Sequence, residues 1–138
     1  MSAAVRACIA LGSNLGDRAG ALSLARQRLA ELPGTTVIAV SVVEETMPLG
    51  GLAQPPYLNQ VLRLETRATA AELLHACHAI EREAGRTRNT AWCSRTLDLD
   101  LVTYGAVTCD LPTLVLPHPG LRDRTFWARQ IAAVEAHG

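Results

Sequence analysis

The chain has 138 residues, 49% of them apolar, with 13 basic and 13 acidic side chains and a formal net charge of zero. That length suits one domain, spanning residues 1–138, with a buried core. Neutral charge argues against a nucleic-acid partner, and the lack of a twenty-residue apolar run or a signal-peptide pattern argues against a membrane location, so a cytoplasmic protein is expected. Every basic side chain is arginine, which excludes the lysine of a P-loop. Cys8, Cys77, Cys93 and Cys109 form no CxxC pair and read as small packing residues.

In chain order, residues 5–11 predict a strand running into the turn Gly12-Ser13-Asn14-Leu15-Gly16. Asn14 or Asp17 then caps a helix reaching about Leu32, with Leu22, Ala25, Leu29 and Leu32 on its apolar side, and Pro33-Gly34 ends it. The β-branched segment 36–43 predicts a second strand, and the prolines and glycines between Thr46 and Pro56 a long loop. A strand is expected over 57–66, with Asn59 inside it, and a helix over 70–85 with Leu73, Leu74, Cys77 and Ala84 on one stripe. A polar loop over 86–94 precedes a strand from Asp98 to about Tyr104. A short strand at 106–109, an irregular stretch over 112–119 and a terminal helix from about Thr125 complete the chain. The order is β-α-β-β-α-β with extensions, which fits an α/β (α+β) fold with a ferredoxin-like sheet and helices packed on it.

The chemistry gathers on Arg95-Thr96-Leu97-Asp98-Leu99-Asp100. Side chains two apart on a strand share a face, so Asp98 and Asp100 point the same way. Paired carboxylates on one rigid element, with an arginine at its mouth, suit a hydrated Mg²⁺ that carries a nucleotide phosphate chain. A strand with one solvated face gives the same alternation, and the pair alone leaves both readings open. His75 and His78 sit three apart on the second helix, a spacing that fits a polar helix face better than a metal site.

Separated motifs decide between them. Gly12-Ser13-Asn14-Leu15-Gly16-Asp17, Pro48-Leu49-Gly50 with Tyr57-Leu58-Asn59, Glu81 with Gly85-Arg86 and Arg88, Trp92 with the Arg95–Asp100 run, and Pro117-His118-Pro119 with Arg124 and Phe126 occur in one order. The set resembles the 6-hydroxymethyl-7,8-dihydropterin pyrophosphokinase family of folate biosynthesis over roughly residues 5 to 127. The resemblance implies transfer of pyrophosphate from ATP to the pterin hydroxymethyl group, giving AMP, with Asp98 and Asp100 holding two Mg²⁺ ions. It implies Arg86 and Arg95 as catalytic phosphate clamps, and His78, Glu81, Arg88, Arg95, His118, Arg122 and Arg124 as ATP contacts. Thr46, Leu49, Tyr57, Asn59, Trp92 and Phe126 would hold the pterin, Tyr57 and Phe126 by their ring faces and Asn59 by its amide.

The chain departs from the family pattern in a loop one residue shorter before Trp92, in Cys93-Ser94 for the usual Gly-Pro, in Met47 for a common proline, and in His78 where a glutamine is frequent. After Phe126 the sequence continues as an uninterrupted helix pattern, which predicts a sheet edge covered by a second copy of the chain, a homodimer through the short C-terminal region. These departures leave two other readings: a binding paralogue without turnover, and a pyrophosphokinase of another pterin-like alcohol.

Overall fold

The computed structural model describes residues 3–47, 55–85, 96–122 and 124–135. The elements are β1 (Val5–Ser13), α1 (Arg18–Ala30), β2 (Thr35–Val40), β3 (Glu44–Thr46), β4 (Tyr57–Thr66), α2 (Ala70–Glu83), β5 (Asp98–Tyr104), β6 (Cys109–Leu111), β7 (Leu114–Leu116), a 3-10 turn at Pro119–Leu121 and α3 (Thr125–Glu135). The fold is α+β. The main sheet runs β2-β4-β1-β5, with β3 also on β4, and every pairing is antiparallel.

Alternation along the central strands sends one set of apolar residues to each face. Ala7, Ile9, Leu11, Leu62, Leu64, Leu99 and Leu101 pack under Leu22, Ala25 and Leu29 of α1 and Leu73, Cys77 and Ile80 of α2. Cys8, Ala10, Val61 and Val102 turn the other way, against Trp127, Ile131 and Val134 of α3. Helices therefore cover both faces, and the long strands β1 and β4 are buried along most of their length.

Several boundaries differ from the sequence expectation for local reasons. Strand β1 continues two residues past Leu11, because Gly12 is paired on both sides, with Asn59 and with Asp98. Asp17, not Asn14, caps α1, accepting a hydrogen bond from the Gly20 amide, and Asn14 instead donates to the Pro55 carbonyl at 3.1 Å. The strand expected over 36–43 ends at Val40 as β2, and a separate strand, β3, begins at Glu44, beyond that range. Between them the Ser41 backbone N–H still donates to the Val61 carbonyl at 2.9 Å, while side chains make the other bonds: the Ser41 hydroxyl accepts from the Val61 amide at 2.9 Å and the Gln60 side-chain amide donates to the Ser41 carbonyl at 2.7 Å. Thr46 consequently belongs to β3, outside the expected loop, while residues 48–54 of that loop lie outside the described residues.

On α2 the buried stripe is Leu73, Cys77, Ile80 and Glu81, so Leu74 and Ala84 give way to an isoleucine and a carboxylate. The stretch 112–119 is ordered: β7 folds back on β6 through the two-residue turn Pro112-Thr113, closed by the pair Leu111 and Leu114, and the 3-10 turn follows. The expected strand at 106–109 is shifted to Cys109–Leu111.

Candidate active site

The register of the sheet builds the site. Asp98 lies beside Gly12, Gly12 beside Asn59, and Asn59 beside Glu44, one row across β5, β1, β4 and β3. Leu99 and Leu101 fill the α1/α2 core, so Asp98 and Asp100 project to the α3 face. With neighbouring strands ~4.8 Å apart, the Asp98 and Asn59 backbones stand ~10 Å from each other. Between them lies a residue with no side chain. A Cβ on Gly12 would reach Tyr57 Cδ1 at 3.5 Å and Asn59 Oδ1 at 3.6 Å, so the glycine leaves an open floor from the carboxylates to the amide.

At the β4 end, Asn59 is buried, and its Nδ2 donates to Thr46 Oγ1 at 2.5 Å. Tyr57 pairs with Thr46 across the strands, which brings the tyrosine ring, the hydroxyl and the amide to one corner. Helix α3 closes over this corner: Gln130 donates to the Asn59 carbonyl at 3.4 Å, and Phe126, one turn earlier, is half-buried. An aromatic ring face and a fixed amide beside it are the chemistry that a flat heterocycle with a polar edge requires.

At the β5 end, His118 Nε2 stands 3.4 Å from Asp100 Oδ1. The Gly120 amide donates to His118 Nδ1 at 2.9 Å, which assigns the proton of the neutral ring to Nε2, facing the carboxylate. The His118 backbone N–H donates to the Val102 carbonyl at 2.8 Å and ties this loop to β5. Glu81, fully buried on α2, accepts from the Leu99 amide at 2.8 Å between the two aspartates. It therefore touches the backbone of the strand that carries them. Arg124 is half-buried and Arg122 exposed beside the loop, and His78 is half-buried on α2. Arg86, Arg88, Trp92, Arg95 and Leu49 lie outside the described residues.

Two carboxylates on one face fit Mg²⁺, which takes hard oxygen ligands, uses one or two protein carboxylates and fills its remaining positions with water and substrate phosphate. No cluster of three or more His, Cys, Asp or Glu side chains able to hold a metal occurs among the described residues. Burial pushes the Cys77 thiol up to about 12, with Glu81 and Asp100 adding to the shift, and burial raises Cys8 against the hydrogen bond from Thr103. No helix among the described residues is long and apolar enough to cross a membrane.

The strand position of Gly12 and the packing of Trp127 on His118 were not visible in the motifs. Gly12 was visible only as a turn glycine, and Trp127 only as part of the terminal helix; it is 3% exposed and packed against His118. No sequence signal marks either role, since both follow from pairing and packing across the sheet.

A protein of Pseudomonas aeruginosa named 2-amino-4-hydroxy-6-hydroxymethyldihydropteridine pyrophosphokinase is 40% identical over 121 residues, covering 88% of this chain and 75% of its own length. Proteins of the same name from Methylorubrum extorquens and Bacillus subtilis are 39% and 38% identical, each matched over 77% of its length. The model of the 7,8-dihydro-6-hydroxymethylpterin-pyrophosphokinase (HPPK) family matches residues 8–136, nearly the whole chain, and with these relatives it establishes that the chain belongs to that family.

Proposed function

We propose that this chain is a cytoplasmic enzyme that transfers the intact pyrophosphoryl group of ATP to the hydroxymethyl oxygen of 6-hydroxymethyl-7,8-dihydropterin, a step of folate biosynthesis. The observation that supports the reading is the row Asp98, Gly12, Asn59, with a carboxylate at one end, a buried amide at the other and a residue without a side chain between them. Tyr57, Asn59, Thr46 and Phe126, with Leu49 and Trp92, hold the pterin so that its hydroxymethyl arm lies over Gly12. His118, Arg122 and Arg124, with His78, Arg86, Arg88 and Arg95, hold the triphosphate. Glu81, a nucleotide contact by resemblance, acts through the Leu99 amide by fixing β5.

Asp98 and Asp100 would hold two Mg²⁺ ions, which supply charge neutralisation on the phosphate oxygens when bound. The chain itself contributes position and fixed donors. The pterin oxygen forms a bond to the β-phosphorus while the bond from that phosphorus to the α–β bridging oxygen breaks. AMP leaves with that oxygen, and the hydroxyl proton passes to water or phosphate. Arginine suits the clamps because its fork offers several fixed hydrogen bonds and keeps its charge at any working pH. Holding both reactants over one floor replaces a bimolecular encounter by an intramolecular one.

The deciding experiment supplies ATP, Mg²⁺ and reduced hydroxymethylpterin and separates AMP from ADP by chromatography. AMP formed only with pterin present is the expected result; ADP in its place, or AMP without pterin, would overturn the reading. A homodimer belongs to the same proposal. It is supported by the edge position of β2 and the exposure of Ile38, Val40 and Val42 along and just beyond it, and a purely monomeric sedimentation profile at micromolar concentration would remove it.

A further inference from the structure

Four residues between the 3-10 turn and α3 make one assembly that the reaction above does not explain. The Trp127 indole lies edge-on to the His118 ring, with centroids 5.1 Å apart at 78°. The Arg124 guanidinium carbon stands 4.6 Å from the centre of the same indole, over its face. Gly120 sits among all three. A Cβ there would overlap the Arg124 guanidinium and come within 3.0 Å of both His118 Nδ1 and Trp127 Cζ3. The same Gly120 gives its N–H to His118 Nδ1 and its carbonyl to the Arg124 amide.

We propose that Trp127 is a positioning residue for the triphosphate end of the site, holding His118 and Arg124 on two sides of one indole so that both are set before ATP arrives. The inference rests on the reading of those two side chains as ATP contacts. Each would otherwise be loose. Arginine has long rotamer freedom, and a cation over an aromatic face restricts it without neutralising its charge, which stays available to phosphate. A histidine pinned by one edge contact and one backbone hydrogen bond keeps Nε2 on Asp100. The indole is itself fixed, because it is buried among Cys8, Ala10, Val61 and Val102 under α3. It also meets Phe126 edge-on at 6.5 Å and 79°, which joins the phosphate end to the pterin end through one rigid ring.

The test compares W127L, W127F and G120A with the wild-type enzyme, reading KM for Mg-ATP, KM for the pterin, kcat and Tm. W127L is expected to raise the ATP KM about tenfold, with the pterin KM within about twofold, and W127F to recover most of the loss because it keeps an aromatic face. G120A keeps the indole and the backbone donor in the chain but forces the guanidinium away and crowds the imidazole and the indole edge, so a rise of about fivefold in ATP KM with little change in the pterin KM is expected; it serves if W127L does not fold. In an R124A background, W127L should add much less than it does alone. Equal rises in both KM values, no advantage of W127F over W127L, or full additivity with R124A would reduce Trp127 to a core residue. If H118A and R124A themselves leave the ATP KM unmoved, it is the assignment of the triphosphate site that fails.

Discussion

The two faces of the sheet are built from the same strands, and β5 supplies both: Leu99 and Leu101 go to the α1/α2 side, Asp98 and Asp100 to the α3 side. On the first side Ile9, Leu11, Leu62, Leu64, Leu73 and Leu29 are essentially inaccessible, and the packing is apolar apart from the buried Glu81. On the second side α3 covers only part of the strands. Under it lie Cys8, Ala10, Val61 and Val102; beyond its first turn the floor carries Asp98, Gly12 and Asn59. One face is a foundation and the other is divided between foundation and site, so substitutions one residue apart on β5 should separate stability from activity.

The sharpest test of that division is the pair Asp98→Ala and Leu99→Ala. Asp98→Ala should lower kcat by about a thousandfold or more, with Tm and pterin affinity close to wild type, because it removes charge stabilisation of the transferring group and no packing. Leu99→Ala should do the reverse, lowering the unfolding free energy by about 2–5 kcal/mol while the folded enzyme keeps most of its turnover at low temperature. Calorimetry and the AMP assay on both variants decide the matter. Near-normal turnover in Asp98→Ala would falsify the assignment of the carboxylate.

Glu81 is the point where the two faces are tied together, since it rises from the α2 core to the amide between the aspartates. Glu81→Leu leaves that buried N–H without an acceptor, at about 1–3 kcal/mol, and should also reduce kcat by loosening the strand. Glu81→Gln keeps an acceptor oxygen and should recover most of both losses. If Glu81→Gln were as inactive as Glu81→Leu at full stability, the carboxylate charge would matter in itself and the structural account of this residue would be incomplete.

At the far end of the floor, Asn59→Ala should raise the pterin KM about tenfold and leave the ATP KM nearly unchanged, because one fixed hydrogen-bonding group is lost from the heterocycle corner only. Steady-state titration of each substrate separates the two. A matching rise in the ATP KM would mean that the ends of the row are not independent.

The order of strands and helices was legible because hydrophobic periodicity and capping residues act locally. Asp17 was one of the two caps the sequence offered for α1, and in the structure it accepts from the Gly20 amide. Asp98 and Asp100 were legible as a pair because the strand period is two. The break between β2 and β3 was hidden, since it depends on Ser41 and Gln60 meeting across 19 residues of chain. The hairpin of β6 and β7 was hidden for a different reason: three-residue strands carry too few alternations to register, and Pro112 read as a disruption when it is a turn residue. Gly12 shows the limit most clearly. A glycine in a strand announces a close approach, but only the register says that Asn59 and Asp98 stand on its two sides.

The smallest effect belongs furthest from the site, at the N-terminus of α2. The Thr69 hydroxyl accepts from the Glu72 amide and the Glu72 carboxylate accepts from the Thr69 amide, an exposed reciprocal cap on the foundation side. Thr69→Ala should cost about 1 kcal/mol of stability and change neither KM. The cap also has a pH signature. The Thr69 backbone N–H, and then its hydroxyl, hold the Glu72 carboxyl below the usual carboxylate range. A lowered folded value means that the contribution is complete above the ordinary carboxylate pKa of about 4.3 and is lost as pH falls through the lowered value. The stability gap between wild type and Glu72→Gln in urea unfolding should therefore be constant from pH 7 to 5 and shrink toward pH 3. A gap that stays the same at pH 3 would mean that the charge of Glu72 contributes nothing beyond its hydrogen bond.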